Sequence, residues 1–148
     1  MECKKFLSCY SIWANRLVAA AEILFVFILP PLLDFFCAYR GMKQEDYYAI
    51  LIAYYCCVPL LLTASFQTEK LLQCIREGQV FVPKNVRRIR AIRWSIGGIS
   101  TVCFPAALFY PPLLFVVVIM VFVMLMVSVM EKVMEAAVAI REENDLTI

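Results

Sequence analysis

The sequence predicts an all-α integral membrane protein: four transmembrane helices in an antiparallel bundle, with both termini in the cytoplasm. Three observations lead there. First, 64% of the 148 residues are hydrophobic and 18% are charged, with a mean hydropathy of +0.81. A soluble domain is roughly 45–50% apolar and about 25% charged, and a chain this short cannot hide the excess in its own core. Disorder is excluded by the same numbers, since disordered chains are polar and charge-rich. Second, four apolar runs come close to the roughly 20 residues that a helix needs to cross a bilayer. Third, Lys and Arg concentrate on alternate connections between those runs.

The first run covers about 17–38 and contains Pro30-Pro31. A helix stopping at Leu29 would span only about 20 Å at 1.5 Å per residue, short of the roughly 30 Å hydrocarbon core. The chain must therefore pass the prolines with a kink or finish the crossing as a bent second piece. Lys4, Lys5 and Arg16 precede this run like a signal-peptide n-region, but it is longer than an h-region and ends in no A-x-A site, so it is read as retained. The second run covers about 47–66. The third covers about 92–110, with Gly97-Gly98 and Pro105 as candidate bending points. Pro111-Pro112 marks a tight hairpin turn, and the fourth run covers about 112–133. Each run is continuous rather than alternating, so helices and not barrel strands are expected. Residues 1–148 are read as a single membrane domain, with a cytoplasmic loop at 67–91 and a cytoplasmic helical tail at 134–148.

Orientation follows from charge. Lys70, Arg76, Lys84, Arg87, Arg88, Arg90 and Arg93 crowd the second connection, against Glu69 and Glu77. The first connection balances Arg40 and Lys43 with Glu45 and Asp46; the third carries no charge. Basic residues in short loops stay cytoplasmic, which places 67–91 and both termini on that side. Residues 68–77 continue helically out of the second span, and Gly78 is suited to end that helix in a left-handed conformation. Pro83 is suited to open the next one. On the new helix Val86, Ile89, Ile92 and Ile96 share a side. Arg87, Arg88 and Arg90 fall opposite with Arg93 at the edge, facing lipid headgroups or an acidic partner. The aromatics that stack on bases are missing from this stretch, so direct nucleic-acid binding is not expected.

The tail is acidic. Glu142, Glu143 and Asp145 can pair with the basic loop or serve as a handle for a partner; homo-oligomerisation is compatible with either. Two carboxylates lie within the runs. Glu22 is expected to turn into the bundle or towards Arg16, with Thr63, Ser65, Gln67, Ser95 and Ser100 as candidate partners, because a lipid-facing carboxylate is costly. Asp34 is expected near the external end, within reach of water or Arg40. The sequence holds no histidine, which removes His-based acid–base, triad and metal chemistry. Its seven cysteines form no CxxC and are read as small buried hydrophobes. No catalytic residue, cofactor or metal site is therefore assigned.

Gly78-Gln79-Val80-Phe81, followed by Asn85-Val86-Arg87-Arg88-Ile89-Arg90-Ala91-Ile92 and by the closing Glu142-Glu143-Asn144-Asp145-Leu146-Thr147-Ile148, resembles the YoaS-like domain-of-unknown-function family. These are small bacterial four-helix membrane proteins. The resemblance implies a multi-pass protein of the bacterial inner membrane with no catalytic residues to transfer. It also implies a regulatory pairing with a Cro/C1-type helix-turn-helix protein. The expected function is thus a non-enzymatic accessory or sensor that holds a cytoplasmic partner through residues 69–93 and the acidic tail. The alternative is a small proton-coupled transporter or exporter using Glu22.

Overall fold

The computed structural model describes the backbone of residues 2–146 and the side chains of residues 10–144. Lys4, Lys5, Cys3, Cys9 and Asp145, which carry sequence expectations through their side chains, and Thr147 and Ile148 lie outside that set. Four helices follow one another: α1 (Glu2–Arg40), α2 (Gln44–Arg76), α3 (Pro83–Phe109) and α4 (Leu113–Leu146). All four are long and apolar enough to cross a membrane. At 39, 33, 27 and 34 residues, each is longer than the roughly 30 Å hydrocarbon core requires. The helices therefore overrun the expected span limits. Within the connection 67–91 only the short segment 77–82 is not helical.

α1 runs unbroken through Pro30 and Pro31. A proline cannot donate to the carbonyl four residues back, so Pro30 frees that of Val26. The Tyr55 hydroxyl on α2 donates to this oxygen at 3.1 Å, which is how a neighbouring helix supports proline inside a span. The α1–α2 turn uses Gly41 at φ 64°. Pro111-Pro112 joins α3 to α4, as expected from a pair of residues that cannot continue a helix.

Neighbours in sequence are neighbours in space: α1 packs on α2, α2 on α3 and α3 on α4. Among the described residues, α1 makes no close backbone approach to α3 or α4. Side-chain pairs climb one helix as they descend the next, so each pair is antiparallel. Arg16 meets Glu69 while Val26 meets Tyr55; Arg88 meets Lys70 while Cys103 meets Cys57. Gly97 and Gly98 serve close packing. A Cβ on Gly98 would lie 3.0 Å from a Leu60 methyl, and one on Gly97 3.2 Å from Met124 Sδ.

The tightest core gathers Cys57, Ile99, Cys103, Ala107 and Val117. The outer faces carry Phe27, Phe35, Leu108 and Phe115, each more than 70% exposed. Water does not tolerate that belt; hydrocarbon does.

Candidate functional site

Most of the charged groups collect at the end of the molecule shared by the start of α1, the end of α2, the start of α3 and the end of α4. There α2, α3 and α4 run past their apolar stretches and pack as a three-helix extension. Its first feature is the turn between α2 and α3. Gly78, at φ 79°, ends α2 in a Schellman arrangement: Gln79 N donates to Cys74 O and Gly78 N to Ile75 O. This is the role expected of a glycine just past a helix end. Pro83 then opens α3.

Asn85 fastens this turn. Its side chain is completely buried, and Nδ2 donates to Gln79 O at 2.8 Å and Val80 O at 3.0 Å. Arg88 reaches back from α3 to α2, where Nη1 donates to Lys70 O, to Cys74 Sγ and to Asn85 Oδ1. Val86 and Ile89 are buried beside them, and Val138 of α4 is buried as well.

α4 is tied on by charge. Glu131 is 2% exposed; its Oε1 accepts from Arg90 Nε at 2.7 Å, and Arg93 Nη1 lies 3.1 Å from Oε2. The Arg93 contact is poorly aligned, leaving Arg93 Nε and Glu131 Oε2 without hydrogen-bond partners. One turn on, Glu135 pairs with Arg90 Nη2 at 2.6 Å and with Lys132 at 3.4 Å. The Lys132 and Arg90 cations hold the Glu135 carboxyl below its ordinary value, against the opposing effect of burial. Glu131, followed by Glu135, holds the Arg90 guanidinium above its own. Arg16 on α1 adds a further tie at this end by pairing with Glu69 on α2 at 2.7 Å.

The geometry adds contacts within the chain for several of these residues. Arg88 reaches α2, and Arg90 and Arg93 reach α4, while the Arg90 side chain stays 49% exposed. Glu131 and Glu135 make an internal clasp, and Glu142 and Glu143 lie further along α4 and are exposed. Arg87 and Lys84 are exposed and have no ion pair among the described residues. Nearby, Arg141 Nη1 approaches Phe81 O at 3.5 Å, which ties the end of α4 to the α2–α3 turn.

Glu22 accepts from Ser65 Oγ at 3.1 Å on both carboxylate oxygens, so of the five expected partners Ser65 is the one it meets. Ser95 and Ser100 are buried on α3, beyond the reach of α1, and Thr63 donates to Pro59 O. Arg16 is taken by Glu69. Asn15 donates to Ser65 O at 3.0 Å, so Ser65 is fixed from both sides. At the opposite end Asp34 shares a recess with Tyr47, Tyr48, Lys43 and Gln44, whereas Arg40 stacks over the Phe36 ring. Cys57 and Cys103 are buried, but Cys56 is exposed on the outer face.

Sequence reasoning missed Glu131, Glu135 and Asn85. A usable signal was present: carboxylates at i and i+4 ending one span, and arginines at i and i+3 opening the antiparallel neighbour, each on one helix face. Among the described residues no group of three Cys, Asp or Glu is placed to hold a metal ion.

A family model described as protein of unknown function (DUF2975) matches residues 24–148. No curated protein and no solved structure matches.

Proposed function

The chain belongs to the DUF2975 family of proteins of unknown function, and from that premise we propose that it is a non-enzymatic membrane accessory or sensor whose charged end engages a cytoplasmic partner. In this reading it is a YoaS-like protein of the bacterial inner membrane with both termini inside. The positive charge of the α2–α3 connection supports the orientation.

One observation carries the proposal. The three-helix extension is fastened internally by Asn85, Arg88, Arg90 and Glu131, yet Lys84 and Arg87 remain exposed on it. Lys84 and Arg87 are thus exposed charges that the fastening does not use, beside Arg90, which fastens α4 and is itself half-exposed. A rigid surface with a small basic patch and a flanking acidic segment suits a folded partner better than diffuse lipid attraction. The resemblance of the 78–92 motif suggests a Cro/C1-type helix-turn-helix regulator as that partner.

The test is co-purification in mild detergent with a co-expressed regulator of that type. Binding should be lost with Lys84→Glu/Arg87→Glu and weakened by deleting 142–148. Capture that is indifferent to both changes, or none at all, would contradict the reading. Transport through Glu22 has less support. The cavity among the four helices is walled by apolar side chains, and Glu22 is engaged by Ser65 beside it rather than lining it.

A further inference from the structure

Midway along the helices, α2 and α3 bring two thiols together. Cys57 Sγ and Cys103 Sγ are 3.8 Å apart, and the residues are 4% and 8% exposed. Both also line a cavity of about 220 Å³ with Leu29 of α1, Ala53 of α2, Ile99 of α3 and Val116 of α4. Its lining draws on all four helices, although α1 makes no close backbone approach to α3 or α4. Val116 of α4 belongs to this lining and is 37% exposed, so we take the mouth of the cavity to lie there, on the outer surface of the apolar spans. An apolar cavity of about 150 Å³ already admits a benzene ring while excluding water, so this one offers an aromatic ring a path from the bilayer to the sulfurs.

We propose that Cys57 and Cys103 form an oxidisable dithiol, closed to a disulfide by a lipid-soluble quinone that reaches it through this cavity. The reaction balances. Two S–H bonds break and one S–S bond forms, and two electrons and two protons pass to the quinone, which leaves as the quinol. To bond, the sulfurs must approach from 3.8 Å to about 2.05 Å. Buried in apolar surroundings, thiols are slow to react, so the reaction is slower than for an exposed pair. The same surroundings shut out charged, water-borne oxidants. That selectivity by solubility separates this pair from Cys74, which lies at the charged end beside Arg88; Cys56 faces outward, and its thiol is not the one that meets Cys103.

The experiment uses the full chain in lipid nanodiscs, treated for hours with decylubiquinone, whose fully substituted ring accepts electrons but does not arylate thiols. Mass spectrometry without reduction should show the loss of two hydrogens and a peptide linking positions 57 and 103. Oxidised glutathione, charged and confined to water, should give no such link. Cys103→Ser should abolish the link, and Cys56→Ser should leave it. Val116→Trp, which narrows the mouth at a position already half-exposed to lipid, should slow the reaction several-fold. Cys57 and Cys103 both remaining alkylatable after quinone treatment and denaturation would overturn the dithiol. A link formed equally fast with glutathione, or unaffected by Val116→Trp, would overturn the route.

Discussion

Replacing Glu131 with glutamine removes the charge that joins α4 to α3 while keeping the shape of the side chain. Stranding one member of a buried ion pair costs about 3–5 kcal/mol. Here the loss is shared unequally. The Arg90 side chain is 49% exposed and keeps Glu135 at 2.6 Å, so it retains a partner and water. Arg93 is 22% exposed and keeps no carboxylate among the described contacts, although its guanidinium still lies 5.7 Å from the Trp94 ring centroid. With one cation of the two left stranded, Glu131→Gln should cost about 2–3 kcal/mol. Glu135→Gln should cost less, because Arg90 keeps Glu131. Unfolding in detergent micelles, followed by the fluorescence of Trp94 beside the cluster, gives both values. A Glu131→Gln protein as stable as the parent, or less affected than Glu135→Gln, would refute the assignment of Glu131 as the tie between the two helices.

Asn85→Ala removes the fully buried side chain that donates to Gln79 O and Val80 O and should cost about 1–3 kcal/mol, two hydrogen bonds at roughly 0.5–1.5 each, with faster proteolysis at 77–82 as the local readout. Gly98→Leu forces bulk against Leu60 and should cost about 1–3 kcal/mol in thermal unfolding. Gly97→Ala meets only the flexible end of Met124, so the gain in helix propensity, up to about 1 kcal/mol, should leave it neutral or stabilised. The depressed Glu135 carboxyl sets a pH dependence. Its contribution is fully present above the ordinary value of 4.5 and disappears as pH falls through the lower folded-state value. Melting curves between pH 6 and 3 (a range set by about that titration) should therefore fall less steeply for Glu135→Gln than for the parent.

The membrane class was legible because it rests on a sum over the chain, and sums of hydropathy survive local error. Gly78 and Pro83 were legible for a different reason: each has a backbone requirement that few residues share, and α2 ends and α3 begins where they stand. The α1 prolines were ambiguous, since their tolerance depends on Tyr55, a residue of the next helix whose approach no local pattern announces. Charge partners were the least legible. Arg88, Arg90 and Arg93 look free on a helical wheel, and only the rotation of α3 against α2 and α4 decides what they meet. Glu131 escaped notice because it ends the most apolar run of the chain, where hydropathy hides a single carboxylate. The Cys57–Cys103 approach was equally out of reach, since α2 and α3 set the register that brings the two residues side by side.

The account depends most on which side of the membrane the clasped end occupies. Truncated fusions to a phosphatase active only outside the cytoplasm, joined after Met42, Gln79, Tyr110 and Ile148, measure this directly. Activity is expected after Met42 and Tyr110 and none after Gln79 and Ile148, which would put Lys84, Arg87 and the α4 extension where a cytoplasmic partner can reach them. Activity after Gln79 and Ile148 with silence at the other two junctions would contradict it.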